Sequence, residues 1–536
     1  MPLTQLDRLT PLDWAIFVVY LLGVLGLGLY AAWGGGKSKR DYFLAGDRLP
    51  WWMIGGSIVA ANISSHHLIG SMGVAYNRGF VAMITEWGAI LVGFNALLWI
   101  FLPFYLRNGF YTVPEFLHRR FGPSVRATYA VLIVLTYLLV EIGAVLYMGA
   151  LALNTLTRVN LTISIVALAI VTGTYTIAGG LRAVVWTEML QLTVLLLGGI
   201  ALTIATVRAV GGVPQAINAS RAGGGWHLLL PYNDPDFPWT MYLGGTLCIS
   251  IFYCAANQFI VQRTLAARNE WHARMGVIFT QYLKFALPLI IIVPGLVARQ
   301  MLPTLPRADM VFPTLVQKLL PAGLVGLVMA GLIAAVMGHT SGAVNSVMTI
   351  ATIDFYLPYK RWRSGGRDEA SDRAAVQFGR MFGIVAIVAG VICGQLLITH
   401  SRKPVFLYLL DAYGYFTPGI ATMFLLGILW RRCTTSGALT AGIISIPLSL
   451  ALEWVFPNLP FQNRTGIVFW SCMLICAGIS LVTKPASDQQ IEGLIWNKDA
   501  LNLPPQERAK NRGWRRPVLW WAIINGVVIY FYIRYA

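Results

Sequence analysis

A run of polar side chains interrupts the second apolar segment of the chain: Ala60-Ala61-Asn62-Ile63-Ser64-Ser65-His66-His67, with Gly70 and Gly73 just beyond. In lipid every backbone group must find an internal partner, so helix-poor polar residues at the centre of a membrane-crossing segment favour an unwound stretch between two half-helices. Such a break offers carbonyls and helix ends to ions and solutes near the bilayer midplane. The alternative is an intact helix whose Asn, Ser and His side chains bond to neighbouring helices.

The second chemical signal is a small set of ionisable residues inside other apolar segments: Glu86, Glu141, Glu188, Lys284, His339 and Asp411, with Asp354 nearer an end. Each costs about 2.5–3.5 kcal/mol at a helix centre, so these side chains face the interior of a bundle and pair with one another or serve a site. A structural ion pair is the alternative for Glu86 with Lys284, and it stands level with a functional role for Glu141 and Asp411. His339 has the one side chain whose ordinary pKa, near 6.5, allows it to take up or release a proton at physiological pH. The six cysteines lie in or beside apolar segments without a CxxC, which speaks against a disulfide framework or structural zinc. No nucleophile, base and orienting group fall at a spacing that suggests catalysis, so the chain reads as a non-enzyme.

The elements that position these groups follow from composition. Of 536 residues, 57% are hydrophobic and 12% charged, against roughly a quarter charged in soluble domains. With no long polar linker, residues 1–536 read as one integral membrane domain. The start, MPLTQLDRLTPLDW, lacks a basic region and a cleavage site, so the first apolar run is expected to be an uncleaved helix. Segments of the roughly 20 residues needed to span a bilayer are expected at 13–33, 50–72, 79–106, 127–156, 161–180, 184–207, 239–260, 275–298, 322–353, 378–398, 404–430, 434–456, 465–482 and 517–533. With an outside N-terminus, 27 of the 40 Lys and Arg fall on the inner side and 12 on the outer. This is the expected cytoplasmic enrichment, and it predicts a multi-pass protein of the cell membrane with both termini outside. The net charge of +18 is spread over short loops rather than gathered on a basic domain, so no nucleic-acid partner is expected.

In order, the runs DYFLAGDRLPWW, ANISSHHLIG, TEWGA, YTIAGGLRAVVWTEMLQ, NQFIVQRTLAA, NSVMTIATIDFY and TPGIATMFLLGILW resemble the sodium/solute symporter family, nearest its sodium/glucose and sodium/galactose cotransporter branch, over nearly the full length. The resemblance implies an all-α LeuT-type fold of two inverted five-helix repeats, 50–207 and 239–430. One helix precedes them and accessory helices follow at 434–533. It implies a solute site built from Asn62, Ser64, His66 and His67 at the break, Glu86 of the TEW motif, Ser250, Lys284, and Tyr253 as the inner gate. Ser250 stands where asparagine is usual, and Leu410 where the family has a substrate-binding glutamine.

The family holds sodium with carbonyls matching Ala60, Ile63 and Ala335 and with two serine hydroxyls that align with Gly338 and His339. A hard cation prefers oxygen, so this ion site is altered. Thr340 and Ser341 lie two residues on, turned about 200° round the helix. His339, with Glu188 where the family has aspartate, is expected to replace sodium with a proton or a fixed positive charge.

The reading implied is a secondary active transporter importing a small polar solute, a sugar or polyol, by alternating access. Sodium is the family's coupling ion and a proton the alternative; no other cofactor is expected, and the chain is expected to be a monomer or weak oligomer among membrane lipids. Two alternatives stand beside it. One is a proton-coupled or uncoupled carrier of a carboxylate, with Lys284 and His66 as counter-charges. The other is a non-transporting solute sensor, disfavoured because residues 483–516 are too few for a signalling domain.

Overall fold

The structure is a computed structural model that describes residues 9–33, 38–222, 226–365, 371–400 and 405–536, without the side chains of residues 66, 85, 156, 222, 309, 398–400 and 405–411. Among the described residues it is helical throughout, with two isolated β-bridges and no strand. We number the main helices α1 (Pro11–Trp33), α2 (Trp51–Asn62), α3 (His67–Arg107), α4 (Pro123–Thr155), α5 (Leu161–Ala209), α6 (Gly245–Ala256), α7 (Gln258–Leu265) and α8 (Glu270–Met301). The second half continues with α9 (Leu324–Arg363), α10 (Asp372–His400), α11 (Val405–Leu429), α12 (Thr435–Val455), α13 (Phe461–Val482) and α14 (Pro517–Arg534).

Each expected segment coincides with helix, but the partition differs. Among the described residues, eleven helices are long and apolar enough to cross a membrane, or twelve if α6 and α7, bent by 40°, form one span. The difference lies in runs that hold two expected segments. The 49 residues of α5 would rise about 74 Å, more than twice the roughly 30 Å hydrocarbon core. The chain turns back within it at Gly180, whose φ of 58° and ψ of −150° break the helix. A Cβ there would sit 2.3 Å from the Tyr42 carbonyl oxygen, so only glycine makes this turn.

At the centre, α5 packs along α9 and α1, α2 crosses α8, and α10 lies against α4; α11, α12 and α13 form a mutually packed group that touches α6. Almost every residue of α9 from Val328 to Ile350 is buried. Outward faces of α1, α10 and α14 instead carry exposed Leu22, Ile384, Ile392 and Ile533, which suit acyl chains.

Candidate functional site

The break expected in the second segment is present and short. Helix α2 ends at Asn62, and Ile63 is extended (φ −81°, ψ 126°). A π-helical turn, His66–Ser71, then leads into α3. In an unbroken helix the Ser64 amide would bond back to the Ala60 carbonyl; here it donates to His67 Nδ1 at 3.2 Å. The proton of the His67 ring therefore sits on Nε2, which donates to Glu86 Oε1 at 3.0 Å. The other Glu86 oxygen accepts from Lys284 Nζ of α8. Sequence and structure thus agree on Glu86 beside Lys284, and the structure adds His67 as the third member.

The remaining solute-site candidates whose side chains are described lie at the break and on α6, which packs against α3. Asn62 and Ser64 are buried at the break, and the Asn62 side-chain oxygen has no hydrogen-bond partner. Ser250 lies on α6, and Tyr253 in the π turn Phe252–Ala256 that ends it. A Cβ on Gly93 of α3 would stand 2.5 Å from the Ser250 carbonyl oxygen and 2.6 Å from Cys254 Sγ. That absence of a side chain is what allows α6 to approach the helix bearing Glu86. Trp87 stacks on Phe285 (5.3 Å, 17°) and so ties α3 to α8 beside the ion pair. The His66 side chain lies outside the described residues, as do those of Leu410 and Asp411.

The ion-site candidates divide. Ala60, Ile63 and Ala335 are buried around the break and on α9. A Cβ built on Gly338 would lie 2.9 Å from the Ala60 carbonyl oxygen and 3.0 Å from Oε1 of Gln191 on α5. Gln191 is 1% exposed, its amide nitrogen donates to the Tyr175 hydroxyl at 3.3 Å, and its oxygen has no partner. Two oxygen acceptors therefore face the same glycine, and Gln191 escaped the sequence reading. Ser341 donates to the Gly338 carbonyl of its own helix at 2.9 Å.

His339 does not pair with Glu188. Its Nε2 meets Glu141 of α4, in the π turn Tyr137–Glu141, and the other Glu141 oxygen accepts from the Tyr413 hydroxyl. The ring of Tyr413 lies edge-on to that of Tyr253 at 6.4 Å. Glu188 is held by Arg263 of α7, and Ser57 of α2 donates to it as well; Arg263 Nε also donates to Ser57 Oγ at 2.8 Å. Arg263 lies just beyond the expected segment 239–260, where a loop would follow. It is instead buried in a short helix, because eight residues after the bend at Asn257 are too few to register as an apolar span.

A family model for sodium:solute symporters matches residues 42–445. The chain is 33% identical to the sodium/glucose cotransporter of Vibrio parahaemolyticus over 512 residues, covering 89% of this chain and 91% of that protein. It is 34% identical to the sodium/myo-inositol cotransporter 2 of Sus scrofa over 547 residues, covering 91% and 79% respectively. Among solved structures, the substrate-bound outward-open state of a Na+-coupled sialic acid symporter superposes with a TM-score of 0.81 at 22% identity, covering 89% of this chain and 99% of that one. The polar break, the buried charges and the helical bundle are thus parts of a LeuT-type membrane transporter rather than an enzyme, and the chain belongs to the sodium:solute symporter family.

Proposed function

We propose that the protein imports a sugar or polyol together with sodium by alternating access, with both termini outside. The observation that carries the choice of solute is the pairing of Lys284 with Glu86 and of Glu86 with His67. With its charge matched, the lysine is not a free counter-charge for a carboxylate. What the pocket offers a solute is a balanced set of donors and acceptors, which is what hydroxyls require. Asn62, Ser64 and Ser250 extend that set, and Tyr253 closes its inner side. The printed functions of the relatives, glucose and myo-inositol cotransport, support the same class. Residues 50–207 and 239–430 serve as the two inverted repeats, and each begins with a broken helix, at Ile63 and at Asn257.

Sodium is favoured by the oxygens of Ala60 and Gln191 facing each other beside Gly338, with Ile63 and Ala335 as further carbonyl donors. A second reading rests on one contact: His339 against Glu141 is a pair able to exchange a proton, and it would serve a proton-driven carrier.

Uptake of labelled glucose, galactose and myo-inositol into proteoliposomes separates these readings. Sodium-driven accumulation of one of them is expected. Accumulation under a proton gradient alone would transfer the coupling role to His339 and Glu141, and no uptake of any of the three under any gradient would sink the sugar assignment.

A further inference from the structure

A wide cleft lies away from the helix break. It measures about 1290 Å³ and opens where the end of α3, the start of α8, the segment 499–516 and the first turns of α14 meet. Five arginines line it. Two of them build its floor: Arg107 and Arg274 share Glu270, and both donate to backbone carbonyls of the 499–502 stretch. The other three, Arg508, Arg512 and Arg516, are exposed, and their guanidiniums make no hydrogen bond or ion pair among the described residues. Asp499 is the one acid that also lines the cleft, and nearby Glu507 already accepts from the Trp271 amide at 2.7 Å. The rim is therefore strongly cationic and not neutralised from within.

The walls have a different character. Leu503, Pro504, Val518, Leu519 and Ala522 line the same space, with Val518 and Leu519 about half exposed on α14. Helix α14 is long and apolar enough to span a bilayer and begins at Pro517, so the unpaired arginines stand at the end of a span, where lipid headgroups lie. Guanidiniums bind phosphate oxygens in a two-pronged geometry, and basic pockets at the ends of membrane helices suit anionic headgroups. A free phosphate would use the rim and leave the apolar wall bare. An anionic phospholipid uses both.

We propose that this cleft is a binding site for an anionic phospholipid, its phosphate held by Arg508, Arg512 and Arg516 and its acyl chains laid along Val518, Leu519 and Ala522 of α14. The full chain, purified in neutral detergent, is titrated with phosphatidylglycerol, phosphatidylcholine or inorganic phosphate, while bound lipid is read by native mass spectrometry and stability by thermal unfolding. Phosphatidylglycerol is expected to be retained at one or two copies and to raise the unfolding midpoint, with an affinity that falls as salt rises. Replacing all three arginines (Arg508→Ala, Arg512→Ala, Arg516→Ala) should weaken that binding at least tenfold and leave the phosphatidylcholine response unchanged. Because these side chains hold nothing else together, the variant is expected to fold. Leu519→Glu, which alters the wall and spares the rim, should weaken phosphatidylglycerol binding as well. Equal retention of phosphatidylcholine, the same stabilisation by inorganic phosphate, or unchanged phosphatidylglycerol binding by either variant would each overturn the assignment.

Discussion

Two buried charge clusters a few helices apart are built from the same chemistry and differ in how they are closed. Around Glu188, the carboxylate, Arg263 and Ser57 are exposed by 0%, 1% and 0%, and three helices, α2, α5 and α7, are latched by them. Around Glu86, the carboxylate and His67 retain 8% each and Lys284 3%. Glu86 has two cationic or donor partners on separate elements, so losing one leaves the other. The Glu188 cluster is the more tightly sealed, and a sealed ion pair is an anchor, because parting it strands a charge at low dielectric. The Glu86 pair is the less sealed of the two, and under the proposed function it is the one a solute rearranges.

The contrast is tested most severely at the anchor. Arg263→Ala should cost about 3–5 kcal/mol, the usual penalty for stranding a buried charge, and should abolish monodisperse protein in size-exclusion chromatography. Arg263→Met combined with Glu188→Leu should restore it. A folded, merely slow Arg263→Ala variant would erase the distinction between the two clusters. At the other cluster, Lys284→Ala should leave a folded protein because His67 still serves Glu86, yet uptake should fall by about a hundredfold or more, some 2.7 kcal/mol at about 1.36 kcal/mol per decade. Normal uptake would remove this cluster from the solute site.

A smaller effect is expected where the two regions meet. Gly338→Ser places a side chain against the Ala60 and Gln191 oxygens, so the sodium concentration for half-maximal uptake should rise about tenfold, about 1.4 kcal/mol. Gln191→Ala alone should likewise raise it, because an oxygen ligand is lost. If Gly338→Ser alone tightens sodium dependence, the glutamine oxygen is not a ligand.

The smallest effect lies outside both clusters, at Asp234, which accepts from the amides of Phe237 (2.9 Å) and Asp236 (3.0 Å) and from Arg78. Burial pushes its pKa up, but those hydrogen bonds and the Arg78 charge more than offset it and hold the carboxyl below the usual range. A depressed folded-state pKa contributes stability above the ordinary carboxylate range that is lost as pH falls through the folded value. The part of acid destabilisation removed by Asp234→Asn should stay below about 1 kcal/mol, given the exposure of the pair. A larger change in the thermal unfolding profile between pH 5 and 3 would mean that this loop matters more than its contacts suggest.

What the sequence made legible follows from what its patterns record. The break at Ile63 was visible because a polar run inside an apolar segment conflicts with lipid, and Glu86 beside Lys284 because two opposite charges in a bundle seek each other. Gln191 left no trace: an uncharged amide on an apolar helix looks the same whether or not its oxygen is satisfied. The partner of His339 was misjudged because Glu141 and Glu188 are equivalent as letters, and only the fold commits Glu188 to Arg263. The break at Gly180 falls where the sequence parted 161–180 from 184–207; what hydropathy does not record is that the two halves follow one another with no loop between them.

His67, Glu141 and Tyr253 share a local feature: each lies in a π turn, at His66–Ser71, Tyr137–Glu141 and Phe252–Ala256. A π turn accommodates one residue more than an α turn while the flanking helix keeps its phase. The bundle's packing is thus insulated from a one-residue insertion or deletion at these points, whereas the direction in which the site's side chains aim is not. Length variation at three turns is therefore a route by which such a scaffold changes what it carries without being rebuilt.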